Sequence, residues 1–241
     1  MKRTFIQSEL LLDAGAVNAV SLRVEGKPHQ FSMRLNGTAT AVESENRREF
    51  FEALGFSENS VAAGAQVHGD NIELVESPGR RPSTDALMTR NTGLFLAISV
   101  ADCVPILMFD KKTRSAAAVH AGWRGTVRSI VSKTATLMDE KCGSSPEDIV
   151  AFIGPCAGSC CYEVGQEVVD NFHGKFFAPG VTAGKYMLDL KSANADQLVR
   201  FGIPRDNIEI SEYCTICNTD FHSYRREGES SGRMLAVIGI I

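Results

Sequence analysis

The most apolar stretch of the chain, residues 94–109, carries Asp102 near its middle and Pro105 just beyond it. It is too short to cross a bilayer comfortably, and a carboxylate inside it would be costly there. The stretch is therefore expected to be buried sheet, not membrane. It also places Cys103 on one apolar segment, while the next, Ala118-Val119-His120-Ala121-Gly122-Trp123-Arg124-Gly125-Thr126, carries an imidazole at His120. A second imidazole, His68, stands in Gln66-Val67-His68-Gly69, at the end of a shorter apolar segment and before a glycine that frees the backbone to turn. Two histidines and one cysteine are placed to converge.

At 241 residues the chain is long enough for one large domain or two small ones. Because no low-complexity linker divides it, a single domain over 1–241 is expected. Hydrophobic residues make up 44% and charged residues 22%, ordinary values for a soluble globular protein. A net charge of −4 lacks the positive field that draws proteins to nucleic acid or anionic membranes, so a small-molecule partner is expected instead. Met1-Lys2-Arg3 imitates the start of an export signal, but Glu9 and Asp13 interrupt the apolar core that such a signal needs. Seven cysteines are an odd number, which suits free thiols in a reducing compartment better than a disulfide framework. The cytoplasm is the expected location.

Periodicity predicts helices over 43–54, with Phe50, Phe51 and Leu54 on one side and Gly55 to end it, and over 126–142, capped by Gly143. Further helices are expected over 166–172 and over 190–201, the latter stopped by Gly202 and Pro204, with a strand over 149–153. The run 143–149 echoes 202–208, each following a helix and leading into a strand, although generic turn or helix-start chemistry is the favoured account of the likeness. The helix opening after Gly122-Trp123-Arg124-Gly125 presents unpaired N–H groups that suit an anion, and Arg124 adds a bidentate fork.

Two imidazoles and a thiolate at His68, Cys103 and His120 make a good zinc ligand set, with the fourth tetrahedral position left open. The spacing belongs to no compact zinc motif, so two other readings stand beside it. One is a hydrolase with Cys103 as nucleophile and His120 as base, a thiolate that zinc would quench. The other is a buried thiol beside Val100 and Val104 with His120 at a strand end. Asp102 speaks against the second: neighbours on a strand face opposite sides, so either it or Cys103 must leave the apolar face.

Near the C-terminus, Phe221-His222-Ser223-Tyr224-Arg225-Arg226, followed by Gly232-Arg233, joins aromatic rings to guanidinium groups, which suits a nucleoside or phosphate as well as a solvated turn. Cys214-x-x-Cys217, even with Cys156, Cys160 and Cys161, is a weak signal for a second metal or redox site, and packed thiols are expected there. Asp85, in Ser83-Thr84-Asp85-Ala86-Leu87, suits either orienting a ligand or capping a turn.

Taken in order, Gln66-Val67-His68-Gly69, Thr84-Asp85-Ala86, Ala101-Asp102-Cys103, Val119-His120-Ala121-Gly122-Trp123-Arg124-Gly125, Ile153-Gly154-Pro155, Tyr162-Glu163-Val164-Gly165 and Ser223-Tyr224-Arg225-Arg226 resemble the YfiH family, also called laccase-domain or polyphenol oxidase proteins. The resemblance covers most of the chain from about Asn46 onward. It implies an α+β fold of mixed β-sheets packed together with helices on the outside, similar to that of the cytotoxic necrotizing factor toxins. It also implies zinc on His68, Cys103 and His120, and phosphorolysis of purine nucleosides (adenosine, inosine, guanosine, methylthioadenosine) with accompanying adenosine deamination. Purine nucleosides and phosphate are then the expected partners, with Arg124 and Arg225 for the anion and Tyr224 for ribose or base. A copper-dependent polyphenol oxidase is the alternative that the family's name suggests. A nucleotide-sensing module without catalysis and a hydrolase of cell-wall precursors are further readings. The chain departs from the family near its start: where a Thr-Arg-x-Gly-Gly segment is usual, it has Phe31-Ser32-Met33-Arg34-Leu35-Asn36-Gly37.

Overall fold

The buried stretch predicted at 94–109 divides between two sheets. The structure, a computed structural model, describes residues 3–35 and 39–241, so Met1 and Lys2 of the export-like start and Asn36 and Gly37 of the divergent segment lie outside the described residues. Among the described residues, one six-stranded sheet runs Phe5–Ile6, Ala16–Ser21, Met234–Ile240, Phe95–Val100, Val61–Gly64, Gly79–Arg81. The other six-stranded sheet runs Ile208–Ile210, Ile149–Ile153, Val104–Asp110, Ala116–Ala121, Ala86–Thr89, Ile72–Leu74. Both mix parallel and antiparallel pairs. A three-stranded sheet of Glu163–Gly165, Lys185–Leu188 and Phe177–Pro179 lies apart from them in the pairing.

Strand alternation explains how both sheets are covered. Leu96, Ile98, Met234, Ala236 and Ile238 of the first sheet share one buried cluster with Leu107, Phe109, Ala118, Val150 and Phe152 of the second. Their neighbours point the other way: Phe95, Ala97, Leu235 and Val237 meet Phe50 and Phe51 of helix Ala41–Ala53. On the far side, Ile106, Met108, Val119 and Ala151 meet Ile130, Val131 and Met138 of helix Ile130–Cys142 and Leu198 of helix Leu190–Phe201. The result is an α+β arrangement of mixed sheets packed face to face with helices outside. Leu107 is fully buried between the sheets. Leu107→Ala is therefore expected to lower unfolding free energy by about 2–5 kcal/mol, read from urea denaturation.

Several local expectations need correction. The chain leaves the first sheet at Val100 and enters the second at Val104, and Asp102 takes a left-handed φ of +82° in the connecting bend. Cys103 and Asp102 are therefore not strand neighbours on opposite faces; the bend turns both toward one cavity. The helix expected over 126–142 is two helices, Trp123–Val127 and Ile130–Cys142, broken where Ser129 adopts φ +59°. That residue interrupts the helical ladder and re-aims the second helix so that its apolar stripe meets the sheet, while Val127 is left 36% exposed. The helix expected over 166–172 ends at Val169. The helix expected to begin at Glu43 starts at Ala41, because Thr40 and Glu43 form a reciprocal capping box. Strand Ile149–Ile153 and helix Leu190–Phe201 stand where periodicity put them. The echoed runs are structurally alike: left-handed Gly143 and Gly202 end their helices, one 3-10 turn follows each, and the strands beyond pair in parallel.

Candidate active site

His120 is the penultimate residue of strand Ala116–Ala121, 3% exposed, with its ring Nδ1 2.8 Å from Asp85 Oδ1. An ionised carboxylate only accepts, so Nδ1 carries a proton and Nε2 is the nitrogen turned toward the trio. Asp85 is fully buried and also accepts the backbone N–H groups of Val67 (3.2 Å), His68 (3.0 Å) and Gly69 (2.9 Å). One carboxylate thus aims one imidazole and shapes the loop that carries the other. Those bonds help hold His68 at φ +58°, a conformation that non-glycine residues seldom adopt. Burial works to raise the Asp85 carboxyl, but His120 and the donated N–H groups outweigh it and hold it below the ordinary carboxylate range. Asp85 therefore both caps the 67–69 turn and orients the His120 ring.

Cys103, in the bend between the sheets, completes the trio: its Sγ and one ring nitrogen from each of His68 and His120 lie within 4.8 Å of one another. The two rings meet edge to face, with centroids 4.9 Å apart and planes at 76°. Gly122 makes room for Cys103 and His68, since a Cβ there would stand 3.0 Å from Cys103 Sγ and 3.2 Å from His68 Cδ2. Burial acts to raise the thiol, yet the charge of His120 and hydrogen bonds from both imidazoles bring Cys103 down to about 6. Burial likewise opposes charging of His120, and the thiolate and Asp85 carry it up to about 9. A ready thiolate, two imidazoles, an oriented ring and an uncrowded centre fit a tetrahedral ion with one open position. Metal binding there would displace the imidazolium proton.

The trio lines a cavity of about 450 Å³, within the usual range for small-molecule sites. Arg124, Tyr224 and Arg225 line it too, as their motifs suggested, and so do Arg233, Trp123, Tyr162, Gln66 and Ser99, to which no binding role had been given. Each guanidinium lies over an aromatic ring: Arg124 over Trp123 at 4.4 Å, Arg225 over Tyr162 at 5.2 Å, Arg233 over Tyr224 at 5.6 Å. The lining carboxylate, Asp102, is already engaged, accepting from Thr215 Oγ1 and from the Arg225 backbone N–H, both at 2.6 Å. Burial and the charge of Cys103 push the Tyr162 hydroxyl up to about 12, so it stays a hydrogen-bond donor at neutral pH.

The anion site expected at a helix start is weaker than its sequence suggests. Helix Trp123–Val127 has only five residues, too few aligned peptides for a strong dipole, so attraction there rests on the Arg124 guanidinium. The C-terminal cluster also divides. Arg226 turns inward to the carbonyls of Thr215, Ile216 and Phe221, while burial pushes His222 down to about 4 beside Gly232. Among the cysteines, packing describes Cys156, which is fully buried, but not Cys160 and Cys217, which are exposed and share a cluster with Cys161 and Cys214. All seven cysteines are free, and no helix among the described residues is long and apolar enough to cross a membrane.

With this geometry in place, residues 28–241 match the family profile described as multi-copper polyphenol oxidoreductase laccase. The chain belongs to this family, the YfiH family. Its crystallographic neighbours include YlmD from Geobacillus stearothermophilus, with a TM-score of 0.91, 33% identity, and 100% of this chain and 97% of that one covered. A purine nucleoside phosphorylase from Bacteroides thetaiotaomicron is 45% identical over 163 residues, a stretch spanning 65% of this chain but only 60% of that protein. Adenosine deaminase RL5, from an unknown prokaryotic organism, is 37% identical over 171 residues, 67% of this chain and 64% of that protein. These relatives of the YfiH-family chain thus carry the names of enzymes that act on purine nucleosides.

Proposed function

We propose that this YfiH-family enzyme is a zinc-dependent purine nucleoside phosphorylase acting on adenosine, inosine, guanosine and methylthioadenosine, with accompanying adenosine deamination. The observation that carries the reading is a single cavity whose metal-type trio His68, Cys103 and His120 shares its lining with Arg124, Arg225 and Arg233. Three guanidinium groups against one already engaged carboxylate favour an anion, and phosphate matches their forked donors. Trp123, Tyr162 and Tyr224 offer aromatic surface for a purine.

Zinc held by His68, Cys103 and His120 would supply a Lewis acid with one open coordination position. The protein's own groups do the rest. Arg124 and Arg225 bind and orient phosphate so that one of its oxygens bonds to ribose C1′ as the C1′–N9 bond breaks. The electron pair passes to N9 of the departing purine, which takes up the proton that the attacking hydrogen phosphate releases. Tyr224 holds ribose or base, and Asp85 keeps His120 aimed. In deamination, water adds at purine C6 and ammonia leaves, with the same groups positioning the nucleoside.

The deciding experiment incubates metal-analysed protein with adenosine, with and without phosphate, and resolves the products by chromatography. Phosphate-dependent adenine supports phosphorolysis, and phosphate-independent inosine supports deamination; neither product from zinc-replete protein overturns the reading. The family description favours one rival, a copper polyphenol oxidase at the same ligands. Phenol oxidation by copper-loaded protein, with no anaerobic nucleoside turnover by the zinc form, would establish that rival. Arg124→Ala is expected to raise the KM for phosphate about tenfold or more, and an unchanged KM would remove Arg124 from the anion site.

A further inference from the structure

Outside the cavity, two turns distant in sequence bring four thiols together. The Sγ atoms of Cys160, Cys161, Cys214 and Cys217 all lie within 4.8 Å of one another, with Cys160 and Cys217 at 3.9 Å. A zinc ion bound by four thiolates at about 2.3 Å requires sulfurs about 3.8 Å apart, so the cluster needs only a slight contraction around such an ion.

The backbone is arranged for the same purpose. Cys161 and Tyr162 both donate their N–H to Gly158 O at 2.9 Å, closing the turn that lets two adjacent cysteines face one point. Gly158 is needed for the close approach, because a Cβ there would stand 3.0 Å from Cys214 Cβ. Its N–H donates to Cys214 Sγ at 3.2 Å, and the N–H groups of Ile216 and Cys217 converge on the same sulfur. Such outer donors offset the excess negative charge of a four-thiolate site. Two of the thiols are exposed, so burial of apolar surface does not account for the cluster.

We propose that Cys160, Cys161, Cys214 and Cys217 form a structural zinc centre, separate from the cavity trio, that ties the 158–162 turn to the 214–217 turn. The first turn leads directly into Tyr162 on the cavity wall. The second carries Thr215, whose hydroxyl donates to Asp102 at 2.6 Å, while Asp102 also receives the Arg225 N–H. The centre thereby braces the wall that presents Tyr162 and Arg225. Zinc binding replaces the remaining thiol protons, which pass to solvent, and changes no oxidation state.

The test counts zinc in full-length protein purified anaerobically. Wild type is expected to hold about two zinc ions per chain, and Cys103→Ala and Cys217→Ser about one each. Cobalt-substituted Cys103→Ala is expected to keep the intense near-ultraviolet sulfur-to-metal absorption of a thiolate-rich tetrahedral site. Should Cys217→Ser fail to fold, alkylation of wild type reads the same centre: zinc protects the four thiols together and a chelator frees them together. Zinc-free Cys103→Ala, alkylation indifferent to zinc, or a Cys160–Cys217 disulfide in freshly isolated protein would each overturn the proposal. None of these readouts depends on nucleoside turnover.

Discussion

Cys103→Ala is expected to lower kcat/KM for adenosine phosphorolysis by about 10³-fold or more, equivalent to roughly 4 kcal/mol of transition-state stabilisation. The size follows from position. Cys103 contributes the thiolate of the trio, and without it two imidazoles remain, one aimed by Asp85 and one on a loop. The measurement is adenine formed per minute by metal-analysed protein, with circular dichroism to verify folding. Activity within about tenfold of wild type would exclude the trio from the chemistry.

Asp85→Asn is expected to weaken metal binding at the trio by about 10–100-fold and to lower turnover with it. The amide retains one acceptor oxygen where the carboxylate serves His120 Nδ1 and three backbone N–H groups, so the ring and the His68 loop both lose their anchor. A competition titration against a chromophoric chelator measures the affinity, and an unchanged value would reduce Asp85 to a turn cap. The metal-free pair adds a pH test. His120, raised from 6.5 to about 9, contributes stability that is full below 6.5 and lost as pH rises through about 9. Cys103, lowered from 9.0 to about 6, contributes stability that is full above 9.0 and lost as pH falls through about 6. The ion pair is therefore expected to span pH 6 to 9, visible as thiolate absorbance. Asp85→Asn removes a group that raises His120, so the alkaline limit is expected to fall.

The most useful disagreement between pattern and structure concerns the two cysteine sets. His68, Cys103 and His120 were legible because each ends or interrupts an apolar segment and is followed within two residues by a glycine or a strand. The thiols at 160, 161, 214 and 217 were not, because Cys-x-x-Cys without a partner pair is ambiguous and its partners lie on a turn 57 positions away, counting from Cys160 to Cys217. Arg225 and Arg226 are identical in type and adjacent, yet Arg225 lines the cavity with one bond to Glu163 O, while Arg226 turns away from it to the carbonyls of Thr215, Ile216 and Phe221. Only the direction of a four-residue helix, Tyr224–Glu227, separates them.

What the amino-acid sequence determined by itself is local: strand Ile149–Ile153, helix Leu190–Phe201 with its left-handed glycine cap, the apolar strands, and the kinds of side chain available for the site. These depend on periodicity and on the backbone preferences of single residues, which act over a few positions. The tertiary structure alone decided where the 94–109 stretch crosses between sheets, why the helix breaks at Ser129, and that Asp85 anchors both histidines. Those features require segments distant along the chain to meet, and strand register and face-to-face packing, not local pattern, decide which side chains share a point in space.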